Sequence, residues 1–342
     1  MKVKDYVPIA MGTVPKATQS SWKPYAAEIV RRWGEMDIDA VLFSQIDTAA
    51  GEVQERVVDQ TRRKTNYAGG VGARSSFVQC CRMVWACAVR DKLCTENPAK
   101  AVEVPRRRKA PNRRALTNDE LARTQFALAK TNDPDLALLV FRIFLETGAR
   151  RNELLGLSTQ SLISSDRGWS LAIDRGAKGG SRRIQPITDQ LAAAIQVLAL
   201  DRIGEGWQKT RTPLLRSKRG VPITRRFLEN RAAAVRKAEP DLGGQELAFT
   251  WHLLRHTAAT LVERVAGFAT AAYFLGHATA RGGSATATTL TYTEPSPEEL
   301  RRAVEAIWEP EKAQQRRTKE KRQAVMQDFL ESLTPEGDEL PF

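Results

Sequence analysis

Histidine is nearly missing from this chain of 342 residues, which holds three, and its four cysteines are confined to positions 80 to 94. No Cys-x-x-Cys pair occurs, which points away from a disulfide scaffold and leaves a zinc site on these cysteines as the minor alternative. Cys80, Cys87 and Cys94 recur every seven residues and stack on one helical face, so with Cys81 they are expected to be reduced core hydrophobes. Long apolar runs are also missing: none approaches the roughly 20 residues that cross a bilayer. The opening MKVKDYVPIAMGTVPKATQ lacks the apolar stretch of a signal peptide. No membrane-spanning helix is therefore expected, and a cytoplasmic location without a membrane partner is. A phosphate-binding glycine loop, a dinucleotide fingerprint, an HExxH helix, a serine or cysteine nucleophile elbow and an internal repeat are all absent.

Positive charge is abundant. Fifty-three Lys and Arg against 40 Asp and Glu leave a net charge of +13 and a pI near 9.8. A polyanion is the natural partner, nucleic acid first, with a merely soluble basic protein as the bland alternative. Forty-two per cent hydrophobic residues suffice for an ordinary core, and the length suggests two domains with tails.

Residues 1–19 hold two prolines and no evident period, so a loose arm is expected there. From Ser20, spacings of three and four through Trp22, Tyr25, Ala26, Ile29, Val30 and Trp33 predict a helix capped by Ser20 or Ser21. A second helix is expected within Ile38 to Asp47, a third within Gly51 to Lys64, and a long one from Ser75 to Leu93 that stops at Asn97-Pro98. Residues 20–100 thus read as a helical domain. In 101–115, two prolines accompany Arg106, Arg107, Arg108, Lys109, Arg113 and Arg114. Such a linker suits DNA phosphates, and a solvated hinge is the competing reading.

The second domain, 116–310, opens on the capping signature Thr117-Asn-Asp-Glu120. Asp135 to Glu146 is a strongly apolar helix. Trp169 to Ile173 and Arg182 to Ile187 form a short β-hairpin, and helices follow from Asp189. Glu298 to Trp308 carries an apolar stripe, and 311–342 is a charged tail. The fold class is mainly α with a small β-hairpin or sheet, an α+β arrangement.

All three histidines lie in one window, each close to an arginine. His252 and Arg255 in Thr250-Trp-His-Leu-Leu-Arg-His256 pair a proton-transfer group with a permanent cation. A zinc site on His252, His256 and His277, or histidines satisfied in the core, are the other readings. In Thr147-Gly-Ala-Arg150-Arg151-Asn-Glu153 an arginine opens a helix after a tight turn, where backbone N–H groups and a guanidinium suit an anion. Glu153 is placed to orient that guanidinium. A capped helix with an exposed arginine fits equally. Lys178 stands at the hairpin tip before two glycines.

Taken in order, Arg150, Lys178, His252-x-x-Arg255, Leu275-Gly-His277 and Tyr292 in Thr-Leu-Thr-Tyr-Thr resemble the tyrosine site-specific recombinases, including the phage and transposon integrases and the Xer-type resolvases. Ser75 to Pro98, with Trp85-Ala86 and Glu96-Asn97-Pro98, is similar to the last helix of their core-binding domain, so the resemblance covers most of residues 20 to 305. It implies that Tyr292 attacks a DNA phosphate, leaving a 3′-phosphotyrosine and a 5′-hydroxyl, with no metal, ATP or redox cofactor. It further implies that Arg150 and Arg255 hold the non-bridging oxygens and Lys178 protonates the leaving oxygen. His252 assists proton transfer, His277 donates to the phosphate and Glu153 supports the site.

The implied partner is double-stranded DNA at core recombination sites, bound by a homo-tetramer that is monomeric when free, with accessory proteins, in the nucleoid of a prokaryote or a phage host. The helix after the tyrosine is expected to pack into a neighbouring subunit. Two features depart from the family. The stretch between His277 and Tyr292 is several residues longer than usual and rich in Gly, Ser and Ala, which implies a flexible tether. The 19 leading residues are too few for a separate arm-binding domain. A DNA-binding regulator of the same fold without catalysis, a telomere resolvase and a type IB topoisomerase are the alternatives.

Overall fold

The structure, a computed structural model, describes residues 1–61, 70–104, 114–174, 182–244, 247–276 and 295–333. It divides into two units, Met1–Pro111 and Asn112–Phe342.

The first unit is helical: α1 (Val3–Gly12), α2 (Lys16–Trp33), α3 (Phe43–Thr61) and α4 (Val71–Arg90). The leading residues are not a loose arm. Val3, Tyr6, Val7 and Ala10 are buried at the i, i+3, i+4, i+7 spacing of an amphipathic helix. Pro8 is tolerated within it, on the exposed side. Two backbone bonds pin the start of α1, from Val3 N to Met36 O and from Lys4 N to Gly34 O. Tyr6 donates to Asp91 Oδ2 at 2.6 Å.

α2 begins four residues before the expected Ser20, after Pro15. The two short helices expected between Ile38 and Lys64 are one, α3, because Gly51 is accommodated in mid-helix. α4 ends at Arg90, well before Asn97-Pro98, where Lys92 turns into the left-handed region (φ 59°). Around α4, Phe77, Val84 and Trp85 are fully buried. Trp85 donates to Ile38 O at 2.9 Å and meets Trp33 edge-on at 6.0 Å. Cys80, Cys81 and Cys87 are free and buried, and burial pushes the Cys80 thiol up to about 12, so it behaves as a hydrophobe.

The second unit opens with α5 (Asn118–Ala129), closed by the expected capping box. Glu120 N donates to Thr117 Oγ1 at 3.2 Å and Thr117 N to Glu120 Oε2 at 2.8 Å. Next come α6 (Pro134–Thr147) and the short α7 (Arg151–Leu155). A three-stranded antiparallel sheet follows, β1 (Leu162–Ser165), β2 (Gly168–Ile173) and β3 (Arg183–Pro186), in the order β1-β2-β3. β1 was not expected; it pairs Leu162 with Leu171 and adds a third strand to the hairpin. Then come α8 (Asp189–Ile203), α9 (Arg225–Ala238) and α10 (Trp251–Phe274), which breaks at Gly267 (φ 80°). The core is built where α6 packs against α10, with Phe141, Phe144, Leu154 and Leu254 buried. Each contributes about 1.5 to 3 kcal/mol.

After the described residues resume at 295, α11 (Pro297–Trp308) and α12 (Pro310–Leu333) complete the unit. The apolar stripe expected to seek a neighbouring subunit is covered within the same chain. Leu300, Ala303 and Val304 are buried with Ala258, Val262 and Phe274 of α10, and Trp308 stacks on Phe274 at 6.3 Å. Arg301 lies buried, donating to Trp169 O and Ser170 Oγ of β2 at 3.2 and 3.1 Å. α12 is held by Arg316 to the buried carboxylate of Glu305 and by the exposed pair Lys312 to Asp189, both at 2.6 Å. No helix among the described residues is long and apolar enough to cross a membrane.

Candidate active site

α6 ends at Thr147, and Gly148 follows in the left-handed conformation (φ 56°) that closes a helix. The turn delivers Arg150 to the mouth of α7. Its backbone N–H donates to Glu153 Oε2 at 2.8 Å and its Nη1 to Glu153 Oε1 at 2.7 Å. α7 spans only five residues and Glu153 already engages that N–H. The expected anion seat on a helix N-terminus is therefore replaced by the guanidinium itself, which is 46% exposed.

Glu153 is buried. Burial pushes its carboxyl up, but the Arg150 N–H, the charge of Arg183 and the Arg150 guanidinium outweigh it and hold the group below its ordinary value. It stays an anion, as a group that orients cations must.

α10 starts where Thr250 Oγ1 accepts from Leu253 N, and the Trp251 indole donates to Leu228 O at 2.7 Å. The first turn is thereby fixed, with His252 outward and Arg255 inward. Arg255 is 4% exposed, and its guanidinium donates to Gly148 O and, at 2.8 Å, to Leu275 O. His252 opens on a pocket of about 410 Å³ shared with Arg151, Glu229, Arg236 and Trp251. His256 is half-buried, its ring edge-on to that of His252 at 6.4 Å. Among the described residues no three His, Cys, Asp or Glu side chains converge as a metal site.

The structure thus brings Arg150, Glu153 and Arg255 around one turn, with His252 on the first turn of the helix that carries Arg255. Lys178, His277 and Tyr292 lie outside the described residues, as do Arg106, Arg107, Arg108, Lys109 and Arg113. Arg114 is described, and Glu120 engages both its amino groups at 2.5 and 2.6 Å. Tyr6 and Tyr25 pack in the first unit's core and Tyr273 against Phe274's cluster.

Arg183 was not assigned from the sequence. It reaches from β3 to Glu153 Oε2 at 3.2 Å and to the Phe274 carbonyl at 2.6 Å. No signal in the sequence marks it, because β3 inverts the usual pattern: Ile184 is 51% exposed while Gln185 is buried, so the apolar residue points out and the polar ones in. Adjacent Arg182 and Arg183 hide this inversion.

A chemical frame of two guanidiniums, a buried carboxylate and an exposed imidazole suits a phosphate whose oxygens gain charge during reaction. The model of the family described as "Phage integrase family" matches residues 114–299. No curated protein sequence matches the chain. Among solved structures, the chain is similar to a Tn1549 transposon integrase in complex with circular intermediate DNA (19% identity, 88% of this chain and 98% of that one, TM-score 0.62). It is also similar to a lambda integrase dimer bound to a COC′ core site (16% identity, 87% and 97%, TM-score 0.61). A lambda integrase tetramer bound to a Holliday junction matches at 16% identity, over 83% of this chain and 80% of that one, with a TM-score of 0.60.

Proposed function

This chain belongs to the phage integrase family, and from that premise we propose that it is a site-specific DNA recombinase acting through Tyr292. The phenolic oxygen of Tyr292 attacks a scissile phosphorus and loses its proton. The phosphorus–oxygen bond to the 5′-oxygen breaks as the 3′-phosphotyrosine forms. Lys178 supplies the proton the departing 5′-oxygen takes up. Attack by a 5′-hydroxyl from a partner duplex reverses the step and rejoins the strand, so the phosphoester energy is retained. Arg150 and Arg255 hold the non-bridging oxygens, groups worth about 3 to 4 kcal/mol each in comparable sites. His252 and His277 assist proton transfer and phosphate binding, and Glu153 orients Arg150.

One observation carries this reading: the guanidinium of Arg255, 105 positions after Arg150 in the sequence, is tied to the carbonyl of Gly148 in the turn that delivers Arg150. The linker cations Arg106, Arg107, Arg108, Lys109, Arg113 and half-exposed Arg114, which also pairs with Glu120 of the α5 cap, contribute phosphate contacts. Since a lambda integrase forms a tetramer on a Holliday junction, the same assembly is proposed for this chain on two DNA sites, with a Holliday junction between two rounds of strand exchange.

The test is covalent capture on a library of nicked duplexes of randomised sequence, in EDTA and without ATP. Wild-type protein is expected to yield an adduct stable to detergent and Tyr292→Phe none. An adduct that survives Tyr292→Phe removes the nucleophile assignment. DNA binding without any adduct favours a regulator that kept the fold alone.

A further inference from the structure

Two arginines staple the same two chain segments together, one residue out of step. Arg255 donates to the carbonyls of Gly148 and Leu275. Arg183 donates to the carbonyls just before them, Thr147 at 3.2 Å and Phe274 at 2.6 Å. Arg183 Nη2 also stands 3.2 Å from Glu153 Oε2, the oxygen that accepts the Arg150 backbone N–H. Its side chain is 9% exposed, and Gln185 steadies it from the same face of β3 at 2.8 Å. One buried guanidinium therefore touches the end of α6, the carboxylate that orients Arg150 and the end of α10.

We infer that Arg183 is a positioning residue of the reaction, resting on the recombinase reading above. It reaches Arg150 through Glu153 and Arg255 through the paired carbonyls, and it sets the spacing of the two guanidiniums that face the phosphate. The planar fork matters as much as the charge. Several N–H groups directed at a carboxylate and three different carbonyl or amide oxygens fit a guanidinium, and a lysine ammonium offers three donors from one point. The pattern of β3 agrees, because it turns Ile184 to solvent in order to place Arg183 and Gln185 inward.

The experiment compares single-turnover adduct formation by wild type, Arg183→Lys and Arg183→Gln on a nicked duplex taken from the capture experiment. Each is assayed with an ordinary scissile phosphodiester and with a methylphosphonate in its place. The methyl group removes the non-bridging charge that the two arginines balance. On the phosphodiester, Arg183→Gln should cleave about 100-fold more slowly, as displacement of catalytic groups by an ångström does. Arg183→Lys should also be slow, and DNA affinity should stay within about twofold of wild type. On the methylphosphonate the gap to wild type should shrink by about tenfold or more. Equal losses on both substrates would mean a general loss of structure and overturn the inference, as would wild-type rates from both variants. Absence of any Tyr292-dependent adduct from the wild type overturns the recombinase reading and this inference together. An adduct that forms without regard to Arg183 overturns this inference alone.

Discussion

Gly148 and the ring of Phe274 are so close that a methyl group on the glycine would stand 2.6 Å from Cε1. The contact joins the turn before Arg150 to the end of α10. Gly148→Ala adds left-handed strain and a clash, each costing about 1 to 3 kcal/mol. Denaturant unfolding of the second unit should show a loss of about 2 to 5 kcal/mol, since the neighbouring Leu275 side chain at 3.2 Å leaves little room to relax. A midpoint equal to wild type would show that the turn yields freely.

Arg150 and Arg255 should separate in stability while agreeing in chemistry. Arg150 is half-exposed and paired with Glu153. Its removal should cost under about 1 kcal/mol. Arg255→Ala strands the carbonyls of Gly148 and Leu275, a cost of about 1 to 3 kcal/mol for each buried oxygen. Both variants should slow adduct formation by roughly 100- to 1,000-fold. Thermal melts alongside trapping assays decide this, and an Arg255→Ala protein as stable as wild type would refute the tethering role.

The α5 cap is acid-sensitive. The Arg114 guanidinium, against the upward push of burial and with help from the Thr117 N–H, holds the Glu120 carboxyl at about 2, below its ordinary 4.5. A depressed carboxylate stabilises fully above its unfolded value, and the contribution is lost as pH falls from about 4.5 through 2. Glu120→Gln should therefore be less stable than wild type by about 1 to 2 kcal/mol at pH 7. The difference should close as pH approaches 2. A gap independent of pH would place the effect outside the ion pair.

Truncations should distinguish α11 from α12. Ending the chain after Glu309 removes exposed pairs such as Lys312–Asp189, each worth about 1 kcal/mol or less, and opens the buried Glu305 to water. That protein should stay folded and bind a single DNA site. Ending it at Pro295 uncovers Phe274 and Val262 and forfeits the burial of Leu300 and Val304, about 1.5 to 3 kcal/mol each. The shorter protein should expose its core, read as dye binding and aggregation. A soluble, DNA-binding chain ending at Pro295 would show that α11 does not belong to the core of the second unit.

The sequence is legible where one short motif carries its own chemistry. Thr117 with Glu120 and Arg150 with Glu153 each declare a cap or a turn within a few residues. α1 was missed because Pro8 and Pro15 suggested breaks, although Val3, Tyr6, Val7 and Ala10 keep helical spacing and Pro8 only faces water. β1 ends in two exposed serines and shows no apolar alternation. The destination of α11's apolar face could not be read from its own residues, since its partners Ala258, Val262 and Phe274 lie on α10. Arg183 depends on which way a short strand faces, a fact held by its neighbours.

The bonds that seat the arginines also fix when in the life of the chain the site comes into being. Arg255 and Gly148 are 107 residues apart, Arg301 and Ser170 are 131 apart, and Leu116 is held by Thr257 across 141. Contacts of such separation form late in folding, after the loops between them have closed. A nascent chain released up to residue 270 already holds Arg150, Glu153, Arg183 and Arg255, yet the carbonyls of Phe274 and Leu275 that seat two of them have not emerged. The seating of these guanidiniums is thus withheld until synthesis has passed the end of α10.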